Sequence, residues 1–196
     1  MTFSSDLVFD GQRRMPYVES DAPAPVNVYG LSKVEAESAV RQIDASALIV
    51  WTSAFFGRWD EYNFVTRLLR DLAERRLCHA PDDQIVSPTY VPGLAHATLD
   101  LLVDGETGVW HLANRGALTW AAFGALVAEQ AGYDPQRVVG APGATLGWNA
   151  ARPAYSALGI ERGWLLPSLP NAVGRYLKER EGAVWPVEDR ADRRQA

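Results

Sequence analysis

The run Ala47-Leu-Ile-Val-Trp51 is continuously apolar, with the length and flanks of a buried strand. Strands of that kind belong to parallel sheets covered on both faces. Thr2–Phe9 alternates loosely, carries β-compatible residues and reads as a short strand ending near Ser4-Ser5-Asp6. Between the two lies Val28–Ile43, which reads as a helix with Asn27 as its cap. Strand, helix, strand in that order is a βαβ crossover, so the fold class is α/β.

The rest of the chain supports that frame. Asp10-Gly11 is a turn signal, and Met15–Val26, with Pro16, Pro23 and Pro25, reads as a surface loop. Asn63–Arg76 is amphipathic: Leu68, Leu69, Leu72 and Leu77 fall on one side, with Arg67, Arg70, Asp71, Glu74 and Arg75 on the other. Ala80–Pro92 reads as irregular, Gly93–Val103 as a helix and Val109–Ala113 as a strand. Thr119 caps a helix running to about Ala131, where Gly132 ends it. Gly140–Arg152 reads as a loop and Leu169–Glu181 as the last helix.

Composition removes several function classes. A net charge of −5 argues against an electrostatic grip on nucleic acid. Trp110, Trp120, Trp148 and Trp164 are expected in the core or at a rim, not as a stacking platform for bases. Cys78 is the single cysteine, so an intrachain disulfide is excluded. His79, His96 and His111 lack ligand-like spacing, and no metal site is expected. No apolar run approaches the roughly 20 residues that span a bilayer, and the N-terminus has no signal pattern. A soluble cytoplasmic protein without a membrane partner is the expectation.

Within the first helix stands Tyr29-Gly-Leu-Ser-Lys33. Residues four apart on a helix share a face, so the phenol and the ammonium point into the same space. A free phenol ionises near pH 10, and a fixed cation nearby stabilises the phenolate. That pairing suits proton transfer at a carbonyl. The competing reading is a half-buried tyrosine beside a lysine reaching for water. Ser5 falls at the C-terminal end of the first strand, where open α/β sheets bind ligands. A hydroxyl there can hydrogen-bond a carbonyl; it can equally cap a turn.

Ser4-Ser-Asp-Leu-Val-Phe-Asp-Gly11, Tyr29-Gly-Leu-Ser-Lys33, Asn63-Phe-Val65, Ser87-Pro-Thr-Tyr90 and Ala151-Arg-Pro153 occur in this order. Together they resemble the dTDP-4-dehydrorhamnose reductase family, a branch of the extended short-chain dehydrogenase/reductases. The resemblance runs from about residue 2 to residue 178. It implies a partial Rossmann-like parallel sheet with a C-terminal substrate-binding lobe. Residues 1–60 would carry the active site, 61–180 would form the lobe with the chain crossing back, and 181–196 would be a disordered tail. It implies a catalytic set Ser5, Tyr29 and Lys33. Ser5 would polarise a keto oxygen and Tyr29 would protonate it as hydride arrives from NADP or NAD. Lys33 would stabilise the phenolate and, with Tyr29, bind the nicotinamide ribose. Asp6 would line the substrate pocket. Four further residues are candidates for contact with a nucleotide-sugar substrate: Arg152 holds its diphosphate or makes a surface ion pair, Thr89 and Tyr90 line the sugar pocket or pack under the following helix, and Asn63 hydrogen-bonds substrate or only caps a helix.

Two departures from the family stand out. The family usually carries Arg-Thr-Ser-Trp after the strand that follows the active-site helix; this chain has Trp51-Thr-Ser-Ala54. The Arg and the sugar-facing Trp are both absent, and Phe55 and Phe56 are either a replacement for the Trp or core. The second departure is the Gly-rich turn that holds a dinucleotide pyrophosphate, which the family carries ahead of its catalytic Ser. Gly140-Ala-Pro-Gly-Ala-Thr-Leu-Gly147 resembles it only superficially and reads as a surface loop. The expectation is a truncated reductase, inactive and unable to hold NADP or NAD fully without the missing half. The alternative is a non-catalytic sugar-nucleotide-binding or regulatory subunit. An apolar sheet edge, left by the strand near 2–9 or near 47–52, is expected to promote self-association.

Overall fold

The computed structural model describes residues 1–147, 149–163 and 166–181. Trp148, Trp164 and the tail from residue 182 onward lie outside the described residues. The chain opens with β1 (Thr2–Ser5) and a 3-10 turn (Asp6–Val8), then passes through the proline-bearing loop into α1 (Val28–Ile43). There follow β2 (Leu48–Thr52), β3 (Phe55–Phe56), α2 (Phe64–Ala73), β4 (Cys78–Pro81), β5 (Ile85–Val86), β6 (Thr89–Tyr90) and α3 (Val91–Val103). Then come β7 (Gly108–His111), β8 (Leu118–Thr119), α4 (Trp120–Gln130), β9 (Val138–Ala141) and α5 (Leu169–Glu181).

The expected crossover is present. β1 and β2 pair in parallel, Phe3 against Val50 and Ser5 against Thr52, and β2 pairs in parallel with β7. The order β1-β2-β7 puts the apolar β2 in the middle, with all five residues buried. β1 is the edge, and Phe3 on it is partly exposed. On one face of this sheet Leu48, Val50 and Trp110 meet Leu94, Ala97 and Leu101 of α3. On the other, Ile49 and Trp51 meet Val8, Phe9, Tyr17 and Leu158.

A further core, separate from the two that flank the sheet, is built mainly by α2, α4 and α5 in the region expected to form the lobe. Val65, Leu68, Leu69 and Leu72 of α2 meet Phe123 and Val127 of α4, and Val173 and Tyr176 of α5. Each such side chain contributes about 1.5–3 kcal/mol by leaving water. Leu77 departs from expectation: α2 stops at Ala73, so Leu77 leaves the helical stripe and is 55% exposed. The segment read as irregular from Ala80 contains strands, because Cys78–Pro81 pairs in parallel with Val138–Ala141. That partner is far away in sequence, so no local pattern announces it. For the same reason Gly140-Ala141 is strand and not loop. α3 also starts two residues earlier than expected, because Pro92 fits the first helical turn.

Gly30 determines how α1 seats on the end of β1. A Cβ there would stand 2.1 Å from the Leu7 carbonyl oxygen and 2.9 Å from Pro25 Cβ. Helix propensity alone favours Ala over Gly by about 1 kcal/mol. The clash is with backbone, which cannot swing aside, so we expect the opposite sign. Gly30→Ala should lower stability by about 1–3 kcal/mol, read as an earlier urea midpoint. A later midpoint would show that α1 does not sit as described.

Candidate functional site

Where β1 ends, its last residue caps the turn that follows. The Ser5 hydroxyl accepts from Leu7 N–H at 3.2 Å and donates to Asp6 Oδ1 at 3.0 Å. Asp6 is 5% exposed. Its other oxygen, Oδ2, accepts from Ser53 Oγ at 2.8 Å and from Ser156 Oγ at 2.6 Å. Burial pushes the Asp6 carboxyl above its ordinary value, and the three hydroxyls oppose that rise. Ser4, one residue earlier, donates to the buried carboxylate of Glu37 on α1. Burial pushes Glu37 up as well, against the hydrogen bond from Ser4 and the charge of Arg41.

α1 begins with the cap that the sequence indicates. Asn27 Oδ1 accepts from Gly30 N–H at 2.8 Å, and its Nδ2 donates to Ala151 O at 2.9 Å. The cap thus ties the helix start to the segment carrying Arg152. Tyr29 stands at the lip of a cavity and is half exposed. Lys33 Nζ lies 5.5 Å from the centre of the Tyr29 ring and donates to Phe3 O on the edge strand at 3.4 Å.

The cavity encloses about 520 Å³. Ser5, Asp6, Tyr29 and Arg152 line it together, with Phe55 and Trp120 as aromatic walls. Phe55 and Phe56 divide the two roles left open: Phe55 is 48% exposed and lines the cavity, whereas Phe56 is 1% exposed and belongs to the lobe core. A second cavity of similar size shares Trp120 and Arg152 with the first. Tyr62, Phe64, Arg67 and Asp71 add to its wall.

Three expected contact residues are placed behind this wall, not in it. Asn63 caps α2, accepting from Thr66 N–H at 3.0 Å and donating to Gly57 O at 2.9 Å. Thr89 is fully buried and donates to Ser87 O at 3.2 Å. The Tyr90 ring packs 5.5 Å from Phe56, and its backbone N–H donates to Asn114 at 2.8 Å. For Asn63 and Thr89 the frame already uses the polar group that was expected to meet a ligand; the Tyr90 hydroxyl is buried without a hydrogen-bond partner among the described residues. Conversely, Ser53, Ser156, Gln84 and Trp120 reach the cavity without having been singled out for it. Ser53 lies inside the Trp51–Ala54 motif, a signal that could have been used. Ser156 meets Asp6 across 150 positions and carries no local signal.

His111 is fully buried; its Nδ1 lies 2.8 Å from Gly159 O, and its ring stacks 5.0 Å from Trp51. Burial holds it below its ordinary value, as suits a core histidine. Among the described residues no group of three His, Cys, Asp or Glu is placed to hold a metal ion. No described helix is long and apolar enough to cross a membrane.

Tyr29 and Lys33 present a phenol and an ammonium on one helix face, a donor set whose chemistry suits the hydroxyls of a ribose. At Gly140 and Gly143 the Gly-rich stretch leaves no space for a pyrophosphate. A Cβ at Gly140 would meet the Asp82 carboxylate at 2.8 Å, and one at Gly143 would meet Gln84 Nε2 at 2.1 Å. The close approach these glycines permit is already taken by side chains of this chain, one of them an anion.

Comparison with known proteins shows the family and the fold. The family model described as "RmlD substrate binding domain" matches residues 1–166. A dTDP-4-keto-6-deoxy-D-glucose reductase of Streptomyces niveus is 34% identical over 157 residues, covering 80% of this chain and 54% of the relative. A dTDP-4-dehydrorhamnose reductase of Mycobacterium tuberculosis is 37% identical over 171 residues, covering 85% and 56%. The crystal structure of a Bacillus anthracis dTDP-4-dehydrorhamnose reductase in complex with NADP superposes with a TM-score of 0.84 at 33% identity, covering 90% of this chain and 64% of that one. The chain thus spans between about half and two-thirds of the length of the relatives it matches.

The raised Asp6 carboxyl has a consequence for stability. Its folded value lies above its ordinary value of 3.8, so the folded state binds the proton more tightly than the unfolded state. The stabilisation is therefore complete below 3.8 and is lost as pH rises through the folded value. We expect Asp6→Asn to flatten this part of the profile. Thermal unfolding of both proteins between pH 4 and neutrality checks it; parallel profiles would show that Asp6 titrates alike in both states.

Proposed function

The chain belongs to the RmlD substrate binding domain family, and from that premise we propose that it acts in reducing the ketone of a dTDP-linked 4-keto-sugar. The observation that carries this reading is that Ser5, Asp6, Tyr29 and Arg152 line one cavity. The cofactor is NADP or NAD, by analogy with the Bacillus anthracis reductase bound to NADP. When bound, it supplies hydride to the carbonyl carbon. Tyr29 gives the proton to the keto oxygen, and Lys33 stands beside it as the compensating cation. Ser5 directs a hydrogen bond to the same oxygen. Arg152, whose planar fork suits phosphate oxygens, holds the diphosphate between the two cavities. Tyr62, Phe64 and Trp120 provide the aromatic wall for the base. On this reading the chain serves the sugar and the nicotinamide end of the reaction. The pyrophosphate of the cofactor falls to polypeptide other than the described residues.

Reduction is followed as loss of reduced-nicotinamide absorbance with a dTDP-4-keto-6-deoxy-sugar, with and without the dinucleotide-binding half of a relative. Tyr29→Phe should lower turnover by about 10²–10⁴-fold, with a smaller effect on sugar-nucleotide affinity. A chain that binds no dTDP-sugar would sink the reading. Binding without reduction, even with that half supplied, would favour the non-catalytic sugar-nucleotide-binding subunit.

The same reading extends to the sheet edge. Among the described residues β1 pairs on one side only, with β2, and carries the partly exposed Phe3. An edge of that kind templates further pairing. Sedimentation velocity should show concentration-dependent association of the isolated chain; one monomeric species at every concentration would count against it.

A further inference from the structure

We propose that Asp6 is a positioning residue for Ser5: the presence or absence of a proton on its Oδ1 decides whether the Ser5 hydrogen points at the carboxyl or at a ligand's carbonyl oxygen. This rests on the ketone reading above. A serine hydroxyl has one hydrogen to donate and two lone pairs. In this structure Ser5 accepts from Leu7 N–H and gives its hydrogen to Asp6 Oδ1. While Asp6 is ionised that hydrogen is committed, and Ser5 can only accept. A ketone oxygen also only accepts, so the two groups have nothing to exchange.

The two oxygens of Asp6 are not equivalent. Oδ2 receives two hydroxyls, at 2.8 and 2.6 Å, and is the better place for negative charge. Oδ1 receives one, at 3.0 Å, and is the better place for a proton. A carboxyl protonated there donates to Ser5 Oγ. The Ser5 hydrogen is then free to turn into the cavity that Ser5 lines. Burial moves the Asp6 carboxyl in the direction this needs. The other ionisable groups near it are Tyr29 and Arg152 on the cavity wall, Lys33 beside Tyr29, and Glu37 behind Ser4.

The only covalent change in this step is one O–H bond: a solvated proton adds to Asp6 Oδ1 as the ketone binds and returns to solvent when the sugar leaves. The product hydroxyl keeps the proton from Tyr29. An alcohol, unlike a ketone, can donate to a Ser5 whose own hydrogen is committed to Asp6. The device therefore separates the keto-sugar from its reduced form by proton uptake.

The test uses the full chain labelled with carbon-13 at the Asp side-chain carboxyl carbons, with the Asp6 signal assigned by its loss in Asp6→Asn. Without ligand, Asp6 should titrate above the ordinary carboxylate range. Ser5→Ala should raise that midpoint further, because the carboxylate loses a donor. An Asp6 that stays ionised through the ordinary range, or whose midpoint ignores Ser5→Ala, overturns the inference. With ligand, affinity for the dTDP-4-keto-sugar should fall about tenfold per pH unit above the midpoint. Affinity for the 4-hydroxy sugar should not, and Asp6→Asn should abolish the difference. Equal slopes for the two sugars also overturn the inference. Failure of both sugars to bind at any pH overturns the ketone reading instead, and the ligand-free titration still judges Asp6.

Discussion

The carboxyl of Asp6 holds this structure to one arrangement. A carboxyl at 5% exposure has lost most of its water, and burying an unpaired charge costs far more than a fold of this size can absorb. Here the loss is offset by hydroxyls from three places in the chain: the end of β1, the residue after β2 and the segment following Arg152. The same segments are also joined by the β1–β2 pairing and by the bridge between Tyr17 and Leu158, so the carboxyl sits at the centre of a shared junction. Removing one donor leaves a buried acceptor short of a partner, at about 1–3 kcal/mol. The same atoms that bring the segments together form the polar floor of the cavity, so fold and site share one constraint.

The second wall of the cavity is set by close approach and not by charge. α1 meets the turn after β1 at Gly30, where the Leu7 carbonyl leaves no room for a side chain. Asn27 fixes the helix start from the other side, through Gly30 N–H and Ala151 O. The residue between Asn27 and Gly30 that faces the cavity is Tyr29. Its phenol is therefore positioned by backbone on both sides, while the ring itself stays half in water. Lys33, one turn on, ties the helix to the carbonyl of Phe3 and so to β1. Ser5 and Tyr29 come from elements whose relative placement depends on a glycine and a cap, and neither contributes to the apolar core.

What could be read from the sequence followed from range. β1, α1 and β2 are consecutive, and their periodicity, cap and apolar run are local signals; all three elements form as expected. Ser5, Asp6 and Tyr29 were legible because motif and strand end coincide. The strand pair β4–β9 was not, because Cys78 and Val138 are 60 positions apart and each segment carries turn-forming residues that read as loop. Asn63, Thr89 and Tyr90 belong to recognisable motifs. Their residue types, though, serve a cap, a turn and a core equally well, and the sequence does not say which. Ser156 shows the opposite case: a serine with no motif, placed on a buried oxygen by folding alone.

Position 54 shows how such a site changes its lining without losing its shape. Ala54 adopts a left-handed backbone, φ 42°, which a residue with a Cβ takes only at some cost. That twist separates the directions of its neighbours: Ser53 turns inward to Asp6, and Phe55 turns into the cavity. The Ala54 carbonyl is held by Thr89 N–H at 3.0 Å, so the twist is pinned by β6 and does not depend on the side chain at 54. An aromatic side chain is therefore not needed at this position for the wall to be aromatic. Phe55 supplies one face, and Trp120, braced edge-on against Phe64 at 5.1 Å, supplies another. The aromatic lining of the cavity thus comes from the residue after Ala54 and from the first residue of α4. A sugar bound here would be flanked from the lobe as well as from the sheet.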